Sequence, residues 1–438
     1  MTYCAYITTI KEIRPHSNAD RLNVVTVFGN DVIVTKDYQL GDKVLYLPTD
    51  GQLDYDFAMA NRLLRVRDEE GNETGYMDAE KRNIKTIKLR GETSDGIVLK
   101  ADCLAPYTDV SKLTDGDTIS EIGGVVICQK YIPRGKVSKE GTPKSGKPTV
   151  KEKDLYPHFK EHLDTAQLAY NTRKFKEGDI CYITLKLHGT SQRMSVSPKI
   201  QKPKWWQKLF GIKPKMVWTP VTGTRRVVLK SDEEIHSGYY GDNTFRMKYH
   251  DLLSSKLPKG ITVYFEVVGY TDNGTLIMPE VGNNKFGDKK YEKEFIKQYG
   301  ETTKFTYGCG MGESDIYVYR MTMTNEDGHE VEIPWEVVKI YCDKWGVKYT
   351  PELDKFIFTT EEDLMERVNA HIDGADPIGK SHIREGVIVR IEGKEQFTAY
   401  KAKSTDFKIL EGIIKEQGVL DMEEEASLGE FEDSEIVE

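Results

Sequence analysis

The sequence predicts an α+β protein in two parts, a small N-terminal β-barrel and a larger domain in which strands and helices alternate irregularly. Three observations predict this. Residues 1 to about 130 set short β-branched and aromatic runs between Gly, Asp and Asn turns, a regular spacing that favours a barrel over a parallel sheet. Around residues 130–153 the chain changes to Lys130, Arg134, Lys136, Lys139, Lys144, Lys147, Lys151 and Lys153 among Gly, Pro, Ser and Thr, the composition of a flexible basic linker. Beyond residue 165, strand-like runs are interrupted by helical stretches at 334–345 and 360–372. The expected boundaries are a barrel over 1–130, a linker over 131–164, a second domain over 165–412, and a disordered acidic tail over 413–438.

In the first part the expected strands cover 5–10, 22–28, 31–34, 43–47 and 96–99, each dominated by Val, Ile, Leu or Tyr. The basic linker reads either as a solvated tether or as a set of phosphate contacts. Asp179-Ile-Cys-Tyr-Ile-Thr-Leu185 follows as a strand, because β-branched and aromatic residues dominate it with no helical period. It runs into Lys186-Leu187-His188-Gly189-Thr190-Ser191. A lysine therefore stands at a strand end, beside a turn whose glycine, amides and hydroxyls could let a phosphate approach. A second basic stretch, residues 202–215, mixes Trp205 and Trp206 with lysines; it could stack on bases or cover the domain.

The 438 residues, 38% hydrophobic and 10% aromatic, suffice for two or three globular domains. The formal charge of −9 is misleading, because residues 421–438 hold nine acids and no Lys or Arg. The rest of the chain is neutral, so the overall balance does not argue against a polyanionic partner. No run of about 18 apolar residues or secretory signal pattern is present. Six scattered cysteines without Cys-x-x-Cys or zinc spacing read as reduced thiols, and the expected compartment is cytoplasmic. No long heptad run occurs, and a monomer is expected.

Downstream of Lys186 lie further chemistry-bearing groups. Arg225 and Arg226 precede an apolar strand, and Glu266 sits within the β run 261–269. An acid there is either functional or a strand-edge residue facing water. Tyr319 could lie on a purine or belong to the core. Glu385 opens a strand beside Gly386, where a metal or ribose could come close. Lys401 and Lys403 are two apart on a strand, hence on one face, and two like charges there call for an anion. Neither a P-loop nor a Gly-x-Gly-x-x-Gly run is present.

In order and spacing these segments resemble the motifs of the covalent nucleotidyltransferase superfamily, the ATP-dependent ligases and capping enzymes, over about residues 165–405. Lys186-x-His-Gly-Thr resembles motif I, Arg225 or Arg226 motif Ia, and Glu266 motif III. Tyr319 resembles the aromatic of motif IIIa, Glu385 the acid of motif IV, and Lys401-x-Lys403 motif V. His188 in place of aspartate points to RNA ligases of the T4 RNA ligase 2-like group. Ile10–Leu22, with its Pro15-His16-Ser17-Asn18-Ala19-Asp20-Arg21 core, resembles the opening of tRNA-binding OB modules, although a capped turn within a barrel explains the same residues. An N-terminal OB-like barrel before an antiparallel-sheet nucleotidyltransferase (adenylation) domain is similar to one branch of RNA ligases.

The resemblance implies an ATP-dependent RNA ligase using ATP and Mg²⁺ or Mn²⁺. Lys186 would be the nucleophile, Lys401 and Lys403 would neutralise the α-phosphate, and Arg225 would contact phosphates or the RNA end. Leu187, His188 and Gly189 would border the nucleotide, Tyr319 would stack on adenine, Glu266 would hold the ribose, and Glu385, with Glu266, would hold the metal. A free lysine is neutral in roughly one molecule in a few thousand at pH 7, so positive charge beside the nucleophile is expected. The partner would be RNA with a 3′-hydroxyl and a 5′-phosphate, a nicked duplex and tRNA being candidates. Related ligases often carry a glutamate just before the motif I lysine, aimed at the purine amino group. Here that residue is Leu185. The alternatives are a DNA ligase, a capping-type guanylyltransferase and a non-catalytic OB-fold RNA-binding protein.

Overall fold

A computed structural model describes residues 3–67, 73–132, 152–203, 209–211, 213–225, 227–229 and 244–416. Arg226, Trp205, Trp206, most of the basic linker and the acidic tail lie outside these residues. The fold is mixed α+β. The chain forms two compact units that are not contiguous in sequence. One combines Met1–Arg134 with Val281–Thr302 and Thr405–Gly418; the other combines Gly135–Glu280, Thr303–Ser404 and Val419–Glu438.

In the first unit the strands β1 (Ala5–Thr9), β2 (Leu22–Val27), β3 (Asn30–Thr35), β4 (Lys43–Leu47) and β5 (Ile97–Lys100) form where the β-branched runs predicted them. β5, β4 and β1 pair in that order, and β2 pairs with β3. Ala5, Ile7, Leu45 and Leu47 enter a common core with Phe57 and Leu104. The Pro15–Leu22 run closes a turn around His16. Its Nε2 lies 3.1 Å from the Leu89 carbonyl, and its Nδ1 accepts the Asn18 N–H at 3.0 Å. Both ring nitrogens are thus spent within the barrel, the capped-turn reading of this motif.

Two later helices also belong to this unit, α2 (Lys289–Tyr299) and α5 (Thr405–Glu416), with α1 (Thr244–Ser254) assigned to the other. The α5 residues Phe407, Leu410 and Ile414, spaced along one helical face, are buried. Lys408 of α5 bonds Asp95, and Lys415 reaches Asp50 at 2.8 Å. A second domain ending at 412 and a tail starting at 413 therefore differ from the packing observed. Residues 413–416 finish a helix held by long-range ion pairs, which local composition does not reveal.

The second unit is built on two sheets. The first contains β6 (Ile180–Lys186), β12 (Glu352–Ile357), β13 (Gly386–Ile391) and β14 (Thr398–Lys403), in the order β14-β13-β6-β12, with Ala166–Gln167 added parallel to β14. The second contains β7 (Thr190–Gln201), β8 (Lys215–Gly223), β9 (Ile261–Gly269), β10 (Ser314–Thr324) and β11 (Glu330–Glu332), in the order β8-β7-β9-β10-β11. The labelled strands pair antiparallel. Helices α3 (Trp335–Trp345) and α4 (Glu361–Ile372) fall on the two predicted helical stretches.

Cys181 and Ile183 of β6 pack with Val387, Val389 and Ile391 of β13 against Leu364 and Val368 of α4. Tyr182 and Thr184, on the other face, are buried as well. A strand covered on both faces shows no polar alternation, which is why Asp179–Leu185 reads as one apolar run.

Candidate active site

Register places the functional groups. Lys186 pairs with Gly386, which pairs with Lys403; Thr184 pairs with Ile388, which pairs with Lys401. Residues directly opposite in antiparallel strands project to the same face. Thr184, Lys186, Ile388, Lys401 and Lys403 therefore share one sheet face. On the second sheet Glu266 pairs with Ser191 and with Tyr317, and Tyr319 stands at a register shift, between Val318 paired with Phe265 and Arg320 paired with Tyr264.

Side chains from both sheets line one pocket. Lys186, Leu187, Arg225, Glu266 and Tyr319 line it, joined by His162, Leu185, Thr350, Ile388, Arg390 and Phe397. Lys186 Nζ lies 2.7 Å from Glu385 Oε1, with side-chain exposures of 22% and 3%. The other carboxylate oxygen, Oε2, is buried without a hydrogen-bond partner among the described residues. Glu266 occupies a central strand rather than an edge, half-buried, and accepts a hydrogen bond from Ser191 Oγ at 3.2 Å. Arg225 forms an ion pair with Asp164. Lys401 and Lys403 are half-buried on the pocket-facing side but do not line the cavity itself.

The Lys186–Ser191 turn differs from its expected role. The His188 N–H donates to Tyr307 Oη at 2.6 Å, and Thr190 Oγ1 accepts from Arg246 Nη2 at 2.6 Å. A Cβ on Gly189 would lie 2.4 Å from the Val267 carbonyl oxygen. These residues therefore fix the turn against β9 and its neighbours, where phosphate contacts were expected; His188 and Gly189 do not line the pocket. Tyr307, 4% exposed, is held far above the usual tyrosine range by burial and then by the Glu385 charge. It stays a neutral phenol.

A strap the sequence assigned to the linker closes the site. Tyr156 and Phe159 pack with Val221 and Val228. Arg193 Nη1 donates to the Phe159 carbonyl at 2.9 Å and also bonds the Lys160 carbonyl, while the His162 N–H donates to the Arg225 carbonyl at 3.3 Å. His162 then stands edge-on to Tyr319, with ring centroids 5.1 Å apart. Burial, and next the charges of Arg225, Arg320, Arg193 and Lys186, hold its imidazole well below the usual histidine range. It is neutral near pH 7. Arg193, Arg246 and Thr350 carried no motif signal, and the sequence reading places the strap, with His162, inside the linker.

Gly386 shows how tightly the acid is set. Its φ is +151°, and an added Cβ would lie 2.1 Å from the Ala402 carbonyl oxygen and 2.7 Å from Lys403 Cα. Backbone cannot yield as a flexible side chain can. Gly386→Ala is expected to lower unfolding free energy by roughly 2 kcal/mol or more and to displace Glu385. Urea titration checks the first effect, and an unchanged midpoint would contradict it.

Among the described residues no group of three or more His, Cys, Asp and Glu is placed to hold a metal. The donor set suits instead a hard cation shared between one or two carboxylates and substrate phosphates.

A family described as RNA ligase matches residues 179–408, more than half the chain, and a family described as an OB-fold domain matches residues 4–101. The chain is similar in fold to a Naegleria gruberi RNA ligase variant solved with ATP and Mn, at 18% identity and TM-score 0.54, covering 93% of this chain and 97% of that one. It is likewise similar to a variant with AMP and Mn (18%, TM-score 0.54, 92% and 97%) and to that ligase with PPi (18%, TM-score 0.53, 92% and 97%). No curated protein sequence matches the chain.

Proposed function

Since this chain belongs to the RNA ligase family, we propose that it joins RNA ends with ATP through an adenylyl group carried on Lys186. The observation that carries this reading is the Lys186–Glu385 pair, 2.7 Å apart, at a pocket that Glu266 and Tyr319 also line. The Naegleria ligase was solved with ATP, AMP and PPi, the substrate and products of such chemistry.

The reaction has three steps. Lys186 Nζ bonds to the α-phosphorus as the bond to pyrophosphate breaks. AMP then passes from Nζ to the oxygen of an RNA 5′-phosphate. Last, a 3′-hydroxyl attacks that phosphate and AMP leaves. Before the first step Lys186 Nζ pairs with Glu385 Oε1, and its attack on phosphorus uses the lone pair of the amine. Lys401 and Lys403, on the same sheet face, neutralise charge gathering on the α-phosphate. Tyr319 and Ile388 offer apolar faces for the base, and Glu266 accepts hydrogen bonds from the ribose. Arg225 contacts phosphates or the RNA end. Glu385 Oε2, without a hydrogen-bond partner among the described residues, fits Mg²⁺ or Mn²⁺, with Glu266 as a second donor; when bound, such an ion would supply positive charge that stabilises the phosphates. The N-terminal OB-fold unit would bind the RNA, with a 5′-phosphate and 3′-hydroxyl at a nick or at tRNA ends as its substrate.

Incubation with ATP and Mg²⁺ followed by intact-mass measurement tests this. Addition of one AMP per chain is expected, together with sealing of nicked RNA duplexes. Labelling by GTP alone would point to a capping-type enzyme, and absence of any adduct to a non-catalytic RNA-binding protein.

A further inference from the structure

Leu185 precedes the nucleophile where related ligases often carry an acid, so the base edge must be read by another polar atom. Leu185 is 1% exposed and offers only hydrocarbon and main chain. The main chain leads to a replacement. The Leu185 N–H donates to the Pro351 carbonyl at 2.9 Å, and the Thr350 N–H donates to the carbonyl of Val318, the residue before Tyr319, also at 2.9 Å. Thr350 is thereby clamped between the strand that ends in Lys186 and the strand that carries the stacking aromatic. Its residue exposure is 3%, it lines the pocket, and its Oγ1 has no hydrogen-bond partner among the described residues. A buried hydroxyl left unpaired is costly, and a ligand that satisfies it gains accordingly.

We propose that Thr350 Oγ1 hydrogen-bonds the polar group at C6 of the purine, filling at the base edge the role of the missing acid. This deepens the nucleotide reading above and rests on it. A hydroxyl both donates and accepts, so Thr350 accepts from the adenine 6-amino group and discriminates against a purine with nothing at C6. His162 is the rival reader, since it lines the same pocket and its Nδ1 is also buried without a partner.

The test compares rates of lysyl-adduct formation from ATP and from purine riboside 5′-triphosphate, which lacks the C6 substituent. Wild-type protein is expected to favour ATP in kcat/KM by about 3- to 10-fold, the worth of one neutral hydrogen bond. Thr350→Val should bring that ratio close to one, mainly through KM, while Thr350→Ser should keep it. A wild-type ratio near one overturns the proposal even if the valine variant fails to fold. So does a folded Thr350→Val protein with the wild-type ratio, or loss of the ratio in His162→Asn alone. No adduct from either nucleotide would refute the nucleotide reading itself, a separate result.

Discussion

Lys186→Ala is expected to reduce covalent labelling by α-labelled ATP to background while the protein stays folded. The reason is stoichiometric, because the proposed first step forms its new bond to Lys186 Nζ. Lys186 is the only lysine among the pocket-lining residues described, and Lys401 and Lys403 do not line the pocket. Some stability should be lost, since Glu385, 3% exposed, then stays buried without its ion-pair partner, and a thermal melt separates that loss from the loss of labelling. An RNA already carrying a 5′-adenylate bypasses the first two steps, so its sealing should survive better than sealing with ATP. Label remaining on the variant after denaturation would mean that another residue is the nucleophile.

Glu385→Gln is expected to slow adduct formation by roughly 10²- to 10³-fold, the usual scale for removing one preorganised electrostatic contact. Glutamine keeps the shape but not the charge. Glu385 is 3% exposed, its Oε1 pairs with Lys186 Nζ, and its Oε2 has no hydrogen-bond partner among the described residues. The variant therefore loses the counter-charge that positions the amine as well as the carboxylate suited to the ion. Raising Mg²⁺ or Mn²⁺ should recover little of the rate. Single-turnover adenylation with a parallel thermal melt checks this, and a rate within threefold of wild type in a folded variant would remove Glu385 from the mechanism.

Much of this site was legible because its chemistry travels with local patterns. Lys186 ends a strand whose composition announces it, and the pair Lys401 and Lys403 needs only the two-residue period of a strand to share a face. Gly189 marks the limit of such reading. A glycine beside Thr and Ser looks like room for a phosphate, yet the space it leaves belongs to the Val267 carbonyl, and the Thr190 hydroxyl is spent on Arg246. Local sequence says that a Cβ is missing, but not what comes close. The strap at 152–164 failed for a related reason: its order comes from Arg193, whose bonds to Phe159 and Lys160 span more than 30 residues.

By itself the sequence determined the kinds of groups available and their order along the chain: a lysine at a strand end, two strand acids, an aromatic and a lysine pair, preceded by a barrel of short strands. Which of them meet was decided by antiparallel register, which lines Lys186, Gly386 and Lys403 across three strands. The same pairing clamps Thr350 between two strands and leaves its hydroxyl unspent. Burial and hydrogen bonding between residues far apart in sequence set these outcomes, and neither composition nor local spacing encodes them.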